Sequence, residues 1–445
     1  MRLPMSPDKC CRSTAGSPDA RATRGALRLV QAGAARVAAR LSDAGPEARA
    51  DAFDRAFPGA LGAACFGDPA RWAVLADAAP TLPLAPVHMA PLAPAGAAPL
   101  ACRDDACFEI WQCDAGDVVS AASGPLRYRY SESAGLVFGS IALREADFAS
   151  GDGAGVTGGI DGTDGTDGTT PLERATCAAY RALFALIDTL AMPHLLRIWN
   201  TVPAINAEQF GLERYRQFNA GRQRAFDASR RTLTGAVPAA CALGSTMVDG
   251  RDDSRDDSRD DGRADGRADG RADGRADSTD DAAPLSVYFL ASRTPADAIE
   301  NPRQVSAYHY PARYGARAPT FARAAVWPGA AAPVLFVSGT ASIVGHRTLH
   351  RGDVLAQTRE TFANLAAVLD EAARRGGPRF ALSDLVYKVY VRDPDDAAAL
   401  AAIDRALRDA AGADARPLYL RADVCRADLL IEIEASAGHQ VERLG

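Results

Sequence analysis

The sequence predicts an α/β (α+β) fold of two domains, each a mixed β-sheet packed by helices, with one disordered insert inside the first domain and another between the two. Along the chain, segments whose apolar residues have the spacing of a β-strand alternate with segments whose apolar residues have the spacing of an α-helix. The chain has 445 residues, of which 47% are hydrophobic and 24% charged. These values are ordinary for a globular protein and allow two or three domains with real cores.

The stretch Pro333–Leu365 shows both periods within one short segment. The apolar run Val334–Val337 reads as a buried strand, the following Ser-Gly-Thr as a turn, and Ile343–Val344 as a second strand. From Val354 the apolar residues recur at helical spacing, and Asp353 is a suitable N-cap. The sequence therefore predicts strand, polar turn, strand and helix here, with the turn forming a pocket wall.

Residues 1–80 read as a poorly ordered extension with weak helices, one of them over Leu27–Leu41. The Pro/Ala-rich segment Pro80–Pro99 reads as an extended linker. The N-terminus has no apolar core of a signal peptide, and no run is long enough to span a membrane. A net charge of −6 argues against a nucleic-acid surface. We therefore expect a cytoplasmic protein without membrane or nucleic-acid partners.

The first domain is expected at residues 81–245, with strands in Cys107–Asp147 and a loop insert at 149–170 that contains a Gly-Thr-Asp repeat. Helices are predicted at Pro171–Leu190 and at Asn206–Ser229, the second capped by Asn206. A charged insert, residues 246–283, is expected to be disordered and to lie on the tip of a hairpin.

The second domain is expected at residues 284–440. Its elements follow the central stretch in the order strand, helix, strand, strand: Leu382–Val391, Asp395–Ala411, Pro417–Asp423 and Ala427–Glu434.

No metal or other cofactor is predicted. The nine cysteines are irregularly spaced and lack a C-x-x-C pair, so reduced and partly buried thiols are expected. His346 and His350 have a spacing that suits zinc on a helix, but the glycines at positions 345 and 352 argue against a helix there.

Several long motifs also resemble one enzyme family, in the right order from about Thr81 to Ala435. They include RIWNTVPAIN, GLERYRQFNAGRQRAF, SGTASIVGH and CRADLLIEIEA. The chain is similar to the chorismatases, which release pyruvate and a hydroxybenzoate or a dihydroxycyclohexadiene acid from chorismate. Some relatives are described as pteridine-dependent deoxygenase-like. The C-terminal part resembles the RidA/YjgF superfamily, so the resemblance implies that both domains are RidA-like.

The resemblance implies chorismate as the small-molecule substrate, and 3-hydroxybenzoate as the product, with 4-hydroxybenzoate as a second product. It places the enzyme in secondary metabolism, as a monomer or a trimer. Gly221 would leave room in the pocket for the aromatic-product branch. Chorismate is a dianion, so its site needs arginine side chains for the carboxylates. The candidate substrate-binding residues are Tyr215, Gly221, Arg222, Tyr310, Arg317, Arg323, Thr340, Arg416 and Arg426.

The acid position departs from the family pattern. The resemblance implies a catalytic glutamate after Gly345–His346, where this chain has Arg347. An arginine does not donate a proton at neutral pH, so Glu360, Glu432 and His346 are the alternative acids. The sequence thus predicts slow turnover that Arg347→Glu accelerates.

Two other functions remain open. One is a RidA-like enamine or imine hydrolase that uses the C-terminal arginine, Arg416 or Arg426, and a water molecule. The other is a catalytically degenerate protein that binds a carboxylate metabolite.

Overall fold

The computed structural model describes residues 26–43, 49–95, 106–149, 169–245, 283–311, 314–329 and 331–444. It confirms the α/β class. The helices are α1 (Ala34–Asp43), α2 (Arg49–Ala56), α3 (Pro69–Ala78), α4 (Pro171–Thr189), α5 (Arg214–Ala228), α6 (Val354–Arg374) and α7 (Ala397–Ala411). No helix in these ranges is long and apolar enough to cross a membrane.

The strands up to the charged insert are β1 (Leu27–Gly33), β2 (Ala60–Gly67), β3 (Leu84–Val87), β4 (Pro91–Leu92), β5 (Ala106–Cys113), β6 (Val118–Ser123), β7 (Leu126–Ser131), β8 (Leu136–Leu143), β9 (His194–Pro203), β10 (Glu208–Gln209), β11 (Leu212–Glu213) and β12 (Ala239–Ser245). Those that follow it are β13 (Leu285–Ser292), β14 (Asp297–Ile299), β15 (Ala324–Trp327), β16 (Val334–Thr340), β17 (Ile343–Val344), β18 (Arg347–Thr348), β19 (Val386–Val391), β20 (Leu418–Arg421), β21 (Asp423–Val424), β22 (Ile431–Ala437) and β23 (Gln440–Leu444).

A five-stranded sheet, in the order β23-β1-β5-β2-β3, occupies the region expected to be an extension. The expectation of poor order over residues 1–80 is therefore wrong for the described part of that range. The first strand covers Leu27–Gly33, where a helix was predicted, because it pairs with β5 and with the C-terminal strand β23. Both partners are remote in sequence, so local helical spacing did not reveal them.

The second sheet has seven strands in the order β21-β12-β9-β13-β8-β7-β6, and α4 and α5 pack on one face. The helix predicted at Pro171–Leu190 is confirmed. The other helix begins at Arg214, not Asn206, because residues 208–213 form the small hairpin β10–β11. The strands that flank the charged insert do not form a hairpin, since β12 and β13 pair with opposite edges of β9. Both inserts lie almost wholly outside the described residues.

The third sheet has seven strands in the order β14-β15-β16-β22-β19-β20-β4, covered by α6 and α7. Asp353 caps α6 by accepting a hydrogen bond from the Ala356 N–H at 2.9 Å, as predicted. The predicted Ser-Gly-Thr turn lies inside β16, at a register shift against β22. The expected domain 81–245 contributes strands to all three sheets, because β5 lies in the first and β4 in the third.

The uncovered faces of the three sheets meet in a common apolar core. Each sheet contributes a large aromatic residue there: Trp111, Trp199 and Phe336. The ring centroids of Trp111 and Trp199 are 6.2 Å apart, and those of Trp111 and Phe336 are 5.9 Å apart. Aromatic contacts thus connect the three sheets, with a small cavity lined by Trp111, Trp199 and Phe336 among them, and a much larger cavity opens between the two seven-stranded sheets.

Gly221 does not shape that cavity. It lies on the face of α5 that packs on α4, where a Cβ would come within 2.2 Å of the Glu173 carbonyl oxygen. The glycine permits a close helix–helix approach, and the predicted role of Gly221 in the pocket is wrong.

We therefore expect Gly221→Ala to destabilise the fold by about 1–3 kcal/mol, the usual cost of overpacking, although alanine is the better helix former. Urea unfolding measures this. The matched control is Gly116→Ala, since a Cβ at Gly116 meets nothing within 4 Å. Equal stability of the two variants would contradict the assignment.

Candidate active site

A cavity of about 590 Å³ lies between the two seven-stranded sheets. Strand β12 and helix α5 of the second sheet form one side, and strands β16 and β22 of the third sheet form the other. The loop between β14 and β15, the β17–β18 hairpin and the segment after β21 complete the walls. The Ala240 N–H donates to Ser338 Oγ at 2.9 Å, which fixes β12 against β16 at the deep end.

Glu432 lies at this deep end and is 4% exposed. It is on β22 and faces the cavity together with Cys241 of β12. Gly339 of β16 makes the space, because a Cβ there would lie 1.8 Å from Glu432 Oε1. A glycine at the register shift of β16 is therefore required for the carboxyl group to occupy this position.

The surroundings of Glu432 keep its carboxyl group protonated. Burial is the main cause, and the neighbouring Glu434 carboxylate adds to it, so that the pKa rises from 4.5 to about 8 despite the opposing charges of Arg197 and Arg323. Among the described residues, none donates a hydrogen bond that would stabilise the ionised form. A protonated carboxyl at neutral pH can act as a general acid.

Three arginines present unsatisfied donors in this part of the molecule. Buried N–H groups with no hydrogen-bond partner among the described residues are Nε of Arg222, Nε of Arg323 and Nη2 of Arg426. Within the same residues, no carboxylate lies within ion-pair distance of these side chains. Buried charges without partners are costly, so the arrangement is suited to an anionic ligand.

Neutral contacts hold the three guanidinium groups in place. Arg222 donates to Asn219 Oδ1 at 2.7 Å, and Arg323 donates to the Tyr310 hydroxyl at 2.8 Å. Arg426 stacks over the ring of Tyr314 at 4.2 Å from its centroid. The positive charges are thus oriented by groups that do not neutralise them.

The mouth of the cavity is also basic, but two of its arginines are paired. Arg216 lies 3.3 Å from Glu213, and Arg351 lies 3.1 Å from Asp428. Arg347, on β18, is exposed and lines the same mouth. The charges that act on the Glu432 carboxyl group are those of Glu434, Arg197 and Arg323, and the charge of Arg347 is not among them.

Seven of the predicted site residues line the cavity together. They are Tyr215, Arg222, Tyr310, Arg323, Arg347, Arg426 and Glu432. His346 is close by, since its ring lies 5.9 Å from that of Tyr314 and its carbonyl accepts a hydrogen bond from Arg426.

Four others lie elsewhere. Glu360 forms an ion pair with Arg303 at 2.5 Å. Thr340 is buried and donates to the Ser338 carbonyl, so its hydroxyl is used by the backbone. Arg317 is exposed, and Arg416 donates to the nearby backbone carbonyls of Ala413 and Ala415. None of the four lines the cavity.

The sequence reasoning missed Gly339, Cys241, Cys425 and the second glutamate, Glu434, as parts of the site region. Two acidic residues at alternate positions of a buried strand, in Ile-Glu-Ile-Glu, are an unusual pattern that could have indicated Glu434. In the described ranges, no three His, Cys, Asp or Glu side chains are placed to hold a metal ion.

Comparisons with known proteins agree with the resemblance. Residues 109–250 match the family model for the N-terminal part of FkbO/Hyg5-like chorismatases. A 3-hydroxybenzoate synthase of Streptomyces hygroscopicus is 37% identical over 272 residues, which cover 58% of this chain and 68% of that protein. A chorismatase of Streptomyces rapamycinicus is 36% identical over 269 residues, with the same coverage.

A crystal structure of a chorismatase superposes with a TM-score of 0.65 and 25% identity, and covers 93% of this chain and 99% of its own. YjgF of Escherichia coli is 25% identical and covers 32% of this chain and 97% of its own, with a TM-score of 0.24. The RidA-like nature of the individual domains stays a prediction.

The environment of Glu432 predicts a stability effect that depends on pH. Its folded-state pKa of about 8 lies above the ordinary 4.5, so stability is lost as pH rises from about 4.5 to 8. Glutamine avoids this loss. We expect the unfolding free energy of Glu432→Gln, relative to wild type, to be higher at pH 8 than at pH 5 by on the order of 2–4 kcal/mol.

Urea unfolding at the two pH values tests this. A difference that stays the same at pH 5 and pH 8 would show that Glu432 titrates normally.

Proposed function

Since the chain belongs to the chorismatase family, we propose that it converts chorismate to pyruvate and 3-hydroxybenzoate, with Glu432 as the acid. The observation that carries this proposal is a buried, protonated carboxyl group in a cavity lined by three arginines, Arg222, Arg323 and Arg426, that have no acid partner among the described residues. Cleavage of the enol ether consumes one water molecule, and aromatisation of the ring releases one. A minor yield of 4-hydroxybenzoate is part of the proposal.

Enol-ether cleavage begins with proton transfer to the terminal methylene carbon. Glu432 supplies this proton, and the resulting oxocarbenium carbon takes up water. The bond between the hemiketal carbon and the ether oxygen then breaks, which releases pyruvate and leaves that oxygen on the ring as a hydroxyl group. Loss of the other ring hydroxyl as water aromatises the ring to 3-hydroxybenzoate. The developing positive charge lies beside a carboxylate that has just become ionised, which stabilises the transition state.

The two carboxylates of the substrate account for the three unpaired arginines. Arg222 and Arg323 line the cavity with Glu432, and Arg426 lies towards the mouth between two tyrosine rings. Charge-assisted contacts of this kind fix orientation as well as affinity. The less polar lining residues Ala240, Ala242 and Phe321 are suited to the carbon ring.

Arg347 attracts the dianion at the mouth and takes no part in proton transfer. The departure from the expected glutamate is therefore compatible with turnover, because a buried acid is present at Glu432. The RidA-like hydrolase keeps one of its two candidate arginines, because Arg426 lines the cavity whereas Arg416 does not. Release of ammonia from an imino acid would favour that alternative. The remaining alternative, a binding protein without activity, does not explain the raised pKa of Glu432, because such a protein has no need of a proton donor.

We expect wild type to release pyruvate and 3-hydroxybenzoate from chorismate, and Glu432→Gln to lower kcat by about 10²–10⁴-fold, the usual contribution of a general acid. Activity should fall as pH rises through about 8, since the acid form is then lost. Arg347→Glu should raise KM, because it reverses a charge at the mouth, without raising kcat.

Coupled detection of pyruvate and chromatography of hydroxybenzoates measure these effects. The acid assignment is wrong if Glu432→Gln turns over normally or if Arg347→Glu accelerates kcat tenfold.

A second prediction separates arginines inside and outside the cavity. Arg323→Ala should weaken chorismate binding about ten- to a hundredfold, because it removes a charge-assisted contact. Arg317→Ala is the matched control, since Arg317 belongs to the same loop but is exposed. Titration calorimetry of both variants in the Glu432→Gln background, which prevents turnover, measures affinity alone. Equal affinities would place the anion site elsewhere.

A further inference from the structure

Two glutamates lie side by side on β22. Residues two apart on a strand point to the same face, about 7 Å from each other. Glu432 and Glu434 share the face opposite the one that packs on α6 and α7, where Ile431, Ile433 and Ala435 lie. Both are buried, at 4% and 3% exposure. Only Glu432 faces the large cavity.

Glu434 is held by groups from two sheets. Lys388 Nζ, on the neighbouring strand β19, lies 2.6 Å from its carboxylate, and Arg197, on β9 of the second sheet, lies 2.5 Å from it. The indole N–H of Trp199 donates to it at 2.9 Å. These three donors keep Glu434 ionised in a place where a lone carboxylate would take up a proton.

The first sheet completes the cluster. Glu109, on β5, lies 2.7 Å from Lys388 Nζ and accepts a hydrogen bond from Gln31 at 3.0 Å. The cluster therefore contains two carboxylates and two cations, and it joins all three sheets. The two negative and two positive charges of the cluster balance. Of these four residues, however, Glu434 is the one on the same strand as Glu432, two positions away.

We propose that Glu434 is a positioning residue for catalysis: its fixed charge, set by the junction of the three sheets, keeps the Glu432 carboxyl in the acid form. This rests on the proposed role of Glu432. The effect is electrostatic repulsion between two carboxylates, of which only the one with cationic partners ionises.

Other groups that face Glu432 come from every wall of the cavity. Four of them line the cavity: Cys241 on β12, Arg323 before β15, Cys425 after β21 and Tyr215 on α5; Arg197 on β9 lies behind it, beside Glu434. Burial raises the pKa of both thiols and of the tyrosine, so these three are neutral near pH 7. Arg197 and Arg323 favour ionised Glu432, and Glu434 is the charge that opposes them.

The proposal predicts shifts of opposite sign for two variants. Glu434→Gln removes the repelling charge, so the alkaline limb of the pH–kcat profile should move down by roughly one pH unit or more. Arg197→Met removes an attracting charge while Lys388 still holds Glu434, so the limb should move up. A purely structural role would lower activity or stability in both variants without moving the limb in opposite directions.

A direct measurement of protonation separates this inference from the proposed reaction. The infrared carbonyl band of a protonated buried carboxyl, assigned by its loss in Glu432→Gln, can be titrated without substrate. We expect its midpoint near pH 8 in wild type, lower in Glu434→Gln and higher in Arg197→Met. If chorismate is not turned over but the band shifts in this way, the proposed function fails, and the electrostatic part of the inference, that Glu434 keeps the Glu432 carboxyl protonated, stands by itself.

An unchanged midpoint in Glu434→Gln overturns the inference, even if chorismate is turned over. If Glu434→Gln does not fold, the double variant Glu434→Gln/Arg197→Met decides: a midpoint below that of Arg197→Met alone supports the proposal, and an equal or higher midpoint refutes it.

Discussion

The ionised Glu434, held by Lys388 and Arg197 at the junction of three sheets, is the interaction on which the rest of the structure depends. Its partners come from strands more than a hundred residues apart, and Glu109 extends the cluster to the remaining sheet. Burial alone would raise the pKa of Glu434, but these cations and hydrogen bonds from Lys388 and Trp199 lower it to about 2. Removing one partner of such a buried pair costs about 3–5 kcal/mol, so loss of Lys388 or Arg197 is expected to destabilise the junction of the three sheets.

The docking also creates the chemistry. Two sheets approach closely at Ser338, near the buried Glu432, and a cavity lies between them beyond this contact. Glycine at position 339 admits the carboxyl group, and three arginines with unsatisfied donors surround the remaining space. The same burial that destabilises ionised Glu432 makes it an acid at neutral pH. Stability and activity therefore place opposite demands on this residue, as is common at functional sites.

The sequence predicted features that depend on local pattern. Helix α6 and its Asp353 cap follow from apolar spacing and one side chain, and the cavity arginines Arg222 and Arg323 follow from motifs. Features that depend on contacts between remote parts of the chain were not predicted. The residues of β1 were predicted to be helical, because the pairing with β5 and β23 is not visible in the local sequence. Gly221 was predicted to line the pocket, because its close contact with α4 is not visible there either. The sequence left three alternative acids and could not select Glu432 among them. Its burial and its charged neighbour distinguish it, and both depend on how the sheets are assembled.

The crystal structure of the Glu432→Gln variant with bound chorismate tests the central claim most directly. The account predicts that the glutamine side chain lies about 3–3.5 Å from the methylene carbon of the enolpyruvyl group, the separation of reacting atoms. It also predicts that the substrate carboxylates bind Arg222, Arg323 or Arg426. A substrate whose methylene points to Arg347 at the mouth, away from residue 432, would contradict it.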